Sequence, residues 1–253
     1  MTNKHTRYAI FRPARWGILA ALLVALPLTS WGQEPLRINT ASLPPYAQED
    51  RQGFLDLLIA EAFARIGLQA QINRYVGASA RGFENANLGV DDGEALRIAG
   101  LSHRYPNLIQ VPEPIKTNNF VGYTLGTRPP INNFMELSSY NVGYIIGWII
   151  FQKNLVPNQT ATAIKSPEQM YQMLDLNRID VALYEEWQGL YIGRQMGLNL
   201  LVLDPPLVQT EMFMYLHQRH RELVPLVAQA LADMKADGSY QRIVDQTLTP
   251  LRN

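Results

Sequence analysis

The order of apolar segments along the chain is the feature that most constrains its fold. After residue 33, short strand-like runs alternate with runs whose apolar side chains have helical spacing, and this alternation occurs twice. The runs of the first set, in the order strand, helix, strand, helix, strand, are residues 36–41, 53–67, 69–75, 79–88 and 96–101. Strands that alternate with helices predict a parallel α/β sheet with helices on its faces.

A second set of runs repeats this alternation. Its strand-like runs are residues 120–125, 141–146, 179–184 and 198–203, and its helix-like runs are residues 167–177 and 186–197. The chain ends with one strand-like run and two helix-like runs, at residues 211–217, 221–237 and 239–247. Residues 33–253 are too many for one comfortable core but divide into two lobes of roughly 100 residues each. Two α/β lobes predict a cleft between them, where small ligands prefer to bind.

The first 32 residues have the composition of a secretory signal peptide. Residues 1–15 carry four basic side chains and no acid, and residues 16–28 are an apolar run of 13 residues. This run is shorter than the ~20 residues of a comfortable membrane span. Small residues, Ser30 and Gly32, stand at the −3 and −1 positions of a cleavage site. We therefore expect a cleaved, exported, periplasmic chain; an uncleaved N-terminal anchor is the alternative.

Charge and cysteine content exclude several classes of protein. Residues 33–253 hold 18 basic and 22 acidic residues, so this part of the chain lacks the basic face that non-specific nucleic-acid binding requires. Cysteine is absent from the chain, which excludes a disulfide framework, a thiolate zinc site and a cysteine nucleophile. We predict no cofactor, no nucleic-acid partner and a monomer held together by its apolar core.

Six stretches occur in a specific order along most of the chain. They are LRINTASLPPYA, GFLDLLIAEAFARIG, IAGLSHRYPNLIQVPEPI, YNVGYIIGWI, SPEQMYQMLDLNRIDVALYEE and MKADGSYQRIVDQ. Their order resembles that of family 3 of the bacterial solute-binding proteins, which are periplasmic proteins typified by polar amino-acid receptors. The resemblance implies the type II periplasmic-binding-protein fold, in which two α/β lobes, each a mainly parallel sheet flanked by helices, enclose a ligand cleft.

The same resemblance implies where the lobes begin and end. Lobe 1 is expected to comprise residues 33–118 and 207–253, and lobe 2 to comprise the inserted residues 119–206, with hinges near 117–121 and 204–209. A narrower stretch, SARGFENANLGVDDGEALRIAGLSHRYPNLIQVPEP, resembles an uncharacterised branch of these proteins. No ligand carries over from that branch.

Three arginines are candidates for holding an anionic ligand. In the family's amino-acid receptors, an arginine after the third strand grips the ligand carboxylate, and such bidentate pairs are strong. The usual Thr-x-x-Arg spacing is missing here, but Arg104 lies nearby and Arg97 lies within the strand. Arg81 lies near the start of a helix at a strand's carboxyl end, where backbone amides favour anions. For each arginine, an ordinary salt bridge on the surface or between lobes is the alternative.

The second lobe departs from the family's pattern. Where amino-acid receptors have Thr or Ser after a glycine, this chain has Trp148 after Gly147, and Glu185 stands where the family has an amine-binding Asp. Tyr46, Trp148 and Trp187 are aromatic candidates for a cleft, although core packing is the more ordinary role of Trp187. These departures make an α-amino acid a less suitable ligand.

Two histidines and three glutamates are further candidates for metal binding or catalysis. His217 and His220 form a His-x-x-His pattern across a predicted strand end and turn, without acids placed beside them, so we predict no metal site. Glu61, Glu185 and Glu186 are the acids that an enzyme on this scaffold would draw on, but no motif singles one of them out.

Three functions follow from these observations. The preferred one is a periplasmic solute-binding protein that captures a small polar or anionic solute, amino-acid-like or carboxylate-bearing, by lobe closure and without catalysis. Closure would be read by an inner-membrane ABC permease or by a sensor. The alternatives are a periplasmic enzyme similar to the cyclohexadienyl dehydratases, and an interaction module whose cleft is filled by Trp148 and Ile149.

Overall fold

The computed structural model describes residues 1–2, 34–42, 44–75 and 79–252. The predicted signal peptide lies outside the described residues except for its first two, so its cleavage stays a prediction. No helix in the described ranges is long and apolar enough to cross a membrane.

The strands form one continuous sheet. Those described are β1 (Leu36–Thr40), β2 (Ala70–Arg74), β3 (Gly93–Arg97), β4 (Leu108–Gln110), β5 (Lys116–Thr124), β6 (Val142–Ile145), β7 (Ala161–Ile164), β8 (Val181–Glu185), β9 (Leu201–Val202) and β10 (Val208–His217). Their order is β2-β1-β3-β10-β5-β8-β6-β7, with β4 paired to β10 and β9 paired to β5.

Two parallel groups of strands lie on either side of the sheet's centre. Strand β1 pairs in parallel with β2 and β3, and β6 pairs in parallel with β7 and β8. The long strands β5 and β10 pair with each other in antiparallel fashion between these groups. Strand β10 continues past β5 to pair with β3 and β4, so it belongs to both sides. These two α/β halves confirm the predicted fold class.

The chain passes between the halves near the predicted hinges. Strand β5 begins at Lys116 and β10 begins at Val208. We call the strands β1–β4 with their helices the β1 half, and the strands β6–β8 with theirs the β6 half. The residue limits predicted for the two lobes stay a prediction.

Helices cover both faces of the sheet. Those described are α1 (Phe54–Ala64), α2 (Ser79–Asn87), α3 (Ile149–Asn154), α4 (Pro167–Asp175), α5 (Glu186–Gln195), α6 (Leu223–Ala236) and α7 (Ser239–Thr247). Short 3₁₀ helices lie at Leu101–His103, Glu136–Ser139, Gln218–His220 and Thr249–Arg252.

Local sequence explains how several helices begin. The Ser166 hydroxyl accepts a hydrogen bond from the Gln169 amide at 3.3 Å, and Pro167 occupies the first turn of α4. Gly238 has φ of 80° between α6 and α7, a left-handed conformation that favours glycine. Ser166 and Gly238 stand directly before two of the helix-like runs predicted from the sequence, residues 167–177 and 239–247.

Each half has its own apolar core. In the β1 half, α1 and α6 bury Phe54, Phe63 and Leu231 against the sheet. In the β6 half, α4 buries Met170 and Tyr171. Because fully burying one such apolar side chain contributes roughly 1.5–3 kcal/mol, each core supplies a large part of its half's stability.

One strand lies earlier in the chain than the sequence pattern predicts. The run 96–101 was expected to be a strand, whereas β3 spans Gly93–Arg97. Gly100 takes a left-handed conformation with φ of 80°, and the 3₁₀ helix Leu101–His103 follows it. Apolar residues after Arg97 therefore turn away from the sheet, while polar Glu94 lies inside the strand.

Candidate functional site

A cavity of about 450 Å³ lies where the carboxyl ends of β1, β3, β6 and β8 meet the crossing strand β5. It is lined by Ala41, Ser42, Tyr46, Leu96, Arg97, Ile98, Asn118, Phe120, Gly147, Trp148, Ile150, Glu185, Gln188 and Met212. This is the edge at which α/β sheets bind ligands. Four of the six predicted site residues line it, namely Tyr46, Arg97, Trp148 and Glu185.

A β-bulge turns Arg97 into the cavity. Arg97 lies opposite Phe213 and Glu94 lies opposite Tyr215, so β3 has one residue more than β10 over the same interval. Within this interval Leu96 has φ of 65°, a conformation that leucine rarely adopts. Consecutive residues of a regular strand face opposite sides, yet Leu96 and Arg97 both line the cavity. Strain of this kind is typical of functional sites.

Glu94 and Phe83 contact the Arg97 guanidinium on its own side of the cavity. Its Nε and Nη2 atoms donate to Oε1 of Glu94. Its Cζ atom lies 5.1 Å from the ring centroid of Phe83, which comes from α2. The arginine side chain keeps 18% of its surface exposed. Ion pair and ring contact together orient a cation at the cavity wall.

Glu94 is a buried acid beneath Arg97. Burial raises its pKa from 4.5 to about 7, assisted by the charge of Asp91 and opposed by Arg97. Glu94 Oε2 and the buried Asn39 Oδ1 have no hydrogen-bond donor among the described residues. Both oxygens face Gly82, where an added Cβ would lie 2.7 Å from Glu94 Oε2 and 3.2 Å from Asn39 Oδ1. The raised pKa means that Glu94 holds a proton more readily than an ordinary glutamate.

A buried polar network ties α2 to the strands beneath Arg97. The Asn39 amide donates to the Gly82 carbonyl at 2.8 Å and to Asp91 Oδ2 at 3.0 Å. The same Asp91 oxygen accepts from the Tyr75 hydroxyl at 2.8 Å. Sequence reasoning missed this network, although two signals were present: Asn39 inside an apolar strand, and acids directly before β3.

Glu185 lines the cavity, but protein groups bind both of its oxygens. The Tyr46 hydroxyl donates to Oε1 at 2.5 Å, and the Lys116 ammonium lies 3.5 Å from the same oxygen. The Gln188 amide donates to Oε2 at 3.0 Å, so Glu185 also caps α5. Burial raises the pKa of Tyr46 well above 10 and lowers that of Lys116. Sequence reasoning missed Lys116, which is buried at the start of β5.

An aromatic cluster forms the opposite wall. The Trp148 ring stacks on Tyr184 with 4.4 Å between ring centroids, and lies nearly parallel to Phe151 at 5.9 Å. Phe120 meets Trp148 edge to face at 6.0 Å. Ile149, which follows Trp148, is 57% exposed. The β6 half therefore presents a rigid apolar surface to the cavity.

The remaining predicted residues lie elsewhere. Arg81 is exposed on α2, and Arg104 is exposed with its guanidinium 5.5 Å from the Tyr105 ring. Neither of them lines the cavity. Trp187 packs against the cores of both halves, under the Arg252 guanidinium at 4.8 Å.

The histidines of the His-x-x-His pattern have protein partners. His220 Nε2 lies 2.7 Å from Asp92 Oδ1, and His217 Nδ1 accepts from the Arg219 amide at 3.3 Å. No cluster of three His, Asp or Glu side chains suited to a metal ion occurs in the described part of the chain.

Two of the three acids considered for catalysis lie outside the cavity. Glu61 pairs with Arg65 at 3.0 Å on α1. Glu186 is buried, binds Arg252, and accepts from the Asn119 amide at 2.7 Å. The third, Glu185, lines the cavity with the partners described above.

Comparisons with known proteins support the fold. No family model matches the chain. An uncharacterised protein of Shewanella oneidensis is 24% identical over 208 residues, which are 76% of this chain and 74% of that protein.

Among the solved structures that are similar to the chain over most of its length are a solute-binding protein and a sensor domain. An ancestral cationic amino-acid solute-binding protein has a TM-score of 0.68 at 19% identity, over 85% of this chain and 95% of that one. A histidine kinase sensor domain with similarity to periplasmic binding proteins has a TM-score of 0.63 at 19% identity, over 86% and 97%. The chain therefore has the two-lobed α/β fold of the periplasmic binding proteins, as its sequence motifs predicted.

Proposed function

We propose that the protein is a periplasmic solute-binding protein that captures a small anionic solute in the 450 Å³ cavity. The observation that carries this proposal is the placement of Arg97. A bulge with a left-handed leucine turns it into the cavity, and Glu94 and Phe83 hold its guanidinium. An oriented guanidinium at a cavity wall suits an anionic ligand such as a carboxylate, which its positive charge attracts.

Lobe closure is the proposed response to the ligand. Arg97 belongs to the β1 half and Trp148 to the β6 half, and both line the same cavity. A ligand that contacts both halves favours the closed arrangement by the difference in its affinity for the two arrangements. Strands β5 and β10 connect the halves and are the proposed hinge.

Export and readout complete the proposal. The basic, apolar and small residues of the first 32 positions support export through a cleaved signal peptide. An inner-membrane ABC permease or a sensor would recognise the closed form of the protein. A solute-binding protein and a sensor domain are both among the similar structures, which is consistent with either partner.

Thermal unfolding of the protein with a panel of carboxylates, amino acids and polyamines tests this function. A ligand that binds only the folded chain stabilises it by ~2.7 kcal/mol at a hundredfold excess over Kd. We expect carboxylates to raise Tm and Arg97→Ala to abolish that rise. Arg81→Ala is the matched control, because Arg81 is exposed outside the cavity. An undiminished rise in Arg97→Ala would refute the role of Arg97.

A further inference from the structure

We infer that the ligand is a small carboxylate with a flat apolar body and no ammonium group. This inference rests on the proposed function of the same cavity and names the chemical class of its ligand. It is carried by two features of the cavity beyond Arg97: the internal pairing of Glu185 and the aromatic wall around Trp148.

The pairing of Glu185 leaves a ligand ammonium without a carboxylate partner. Among the described residues that line the cavity, Glu185 is the only acid. Its oxygens already receive the Tyr46 hydroxyl, the Gln188 amide and the charge of Lys116. An ammonium taken out of water without a compensating partner is strongly disfavoured.

Lys116 offsets the charge of Glu185. This cation is buried, its Nζ atom lies 5.1 Å from the centroid of the Tyr46 ring, and it donates to Asn118 Oδ1 at 2.6 Å. Tyr46 and Asn118 both line the cavity, so the positive charge stands directly behind the cavity wall. Because this charge offsets that of Glu185 3.5 Å away, the pair offers a ligand ammonium little net attraction.

The wall opposite Arg97 suits a ring. Trp148 is held by its contacts with Tyr184 and Phe151 but is only partly buried, so its remaining surface offers the cavity a preformed apolar wall. Phe120, Ile150 and Met212 extend this apolar lining. A volume of about 450 Å³ lies in the range of small-molecule sites. A ligand whose carboxylate lies at Arg97 and whose ring packs against Trp148 therefore contacts both walls of the cavity.

Calorimetry with three probes tests the inference: 3-phenylpropanoate, L-phenylalanine and propanoate. Phenylalanine differs from 3-phenylpropanoate only by its α-ammonium group, and propanoate lacks the ring. We expect 3-phenylpropanoate to bind at least tenfold more tightly than either of the other two. Arg97→Ala should remove this binding, and Arg81→Ala should retain it.

The outcomes separate the inference from the proposed function. Phenylalanine binding as tightly as 3-phenylpropanoate, or more tightly, overturns the inference and leaves a solute-binding protein. Equal binding of propanoate and 3-phenylpropanoate overturns the requirement for a ring. Failure of every carboxylate and amino acid to bind overturns the proposed function as well.

A variant of Lys116 tests why the cavity should prefer 3-phenylpropanoate to phenylalanine. Lys116→Met keeps a long side chain, removes the charge and leaves Glu185 available to an ammonium group. We expect the preference for 3-phenylpropanoate over phenylalanine to fall at least fivefold. Lys116→Gln, which retains a donor for Asn118, should behave in the same way and serves if Lys116→Met does not fold. An unchanged preference in a folded variant overturns the proposed role of Glu185.

Discussion

The two walls of the cavity start from the same element, the carboxyl end of a parallel strand, yet their chemistry is opposite. At the end of β3, a strained leucine, an arginine and a buried acid form a polar wall. At the end of β6, Trp148 and its aromatic neighbours form an apolar wall without a buried charge on that strand.

The polar wall lowers the stability of the fold, whereas the apolar wall raises it. Burying Glu94 and holding Leu96 at positive φ both work against folding, whereas aromatic packing around Trp148 supports it. A feature that opposes stability and still occurs is a stronger sign of function than one that also stabilises the core. The polar wall is therefore the more informative of the two about the ligand.

The largest effect is expected from filling the space under the polar wall. Gly82→Val places a side chain 2.7 Å from Glu94 Oε2, within a closely packed network. We expect unfolding free energy to fall by about 3 kcal/mol, as in strongly overpacked sites. Chemical denaturation measures it, and Ala80→Val, at an exposed position of α2, is the control. A loss equal to that of the control would mean that the polar wall is loosely packed.

A pH titration tests whether the polar wall holds a proton. The pKa of Glu94 is about 7 in the folded chain, above its ordinary value of 4.5, because of burial. The folded chain then binds more protons between these values, so unfolding free energy should fall as pH rises from about 5 to about 8. The expected fall is about 2 kcal/mol, given ~1.4 kcal/mol for each pKa unit.

Glu94→Gln isolates this carboxyl from the other groups that titrate in the same window. We expect its unfolding free energy to depend less on pH than that of the parent chain. A carboxylate ligand should also bind more tightly at pH 6 than at pH 8 in the parent, because an ionised Glu94 repels a second carboxylate at Arg97. Parallel pH curves for parent and variant would place the proton elsewhere.

Removing the indole sharpens the contrast between the walls. Trp148→Ala should weaken binding of 3-phenylpropanoate about tenfold, or ~1.4 kcal/mol, while propanoate binding changes little. The reason is that the ring rests on Trp148 and the carboxylate on Arg97. Calorimetry on the two ligands measures the difference, and Ile149→Ala, at an exposed neighbour, is the control. Equal losses for both ligands would show that Trp148 only supports the fold.

The smallest effect is expected away from both walls. Gly238 has φ of 80°, and valine in this conformation costs about 1 kcal/mol of stability. Gly238→Val should therefore lower Tm by a few degrees without changing ligand affinity. A change in affinity would indicate that the junction of α6 and α7 is coupled to the cavity.

Local patterns were enough to predict much of the fold. The Ser166 cap of α4, the turn at Gly238 and the alternation of strands with helices all depend on residues a few positions apart. The resemblance to a known family supplied the two-lobed arrangement and directed attention to Arg97, Trp148 and Glu185. The limits of β3 were wrong because the turn at Gly100 interrupts an apolar run that otherwise reads as a strand.

The site itself was only partly predictable. Arg81, Arg97 and Arg104 were equal candidates by sequence, and pairing between distant strands separated them. The bulge in β3 depends on its register with β10, whose residues lie more than 100 positions away. The pairing of Lys116 with Glu185 likewise joins separate strands, so no spacing along the chain reveals it.

The sequence by itself determined the alternation of elements, their caps and turns, and the apolar faces of the helices. These features follow from short-range periodicity and backbone preferences. Tertiary structure alone decided that Arg97 faces the cavity, that Glu94 is buried beneath it and that Glu185 is internally paired. The physical reason is that charge pairing and burial depend on distances in space, which strand register sets between residues far apart in the chain.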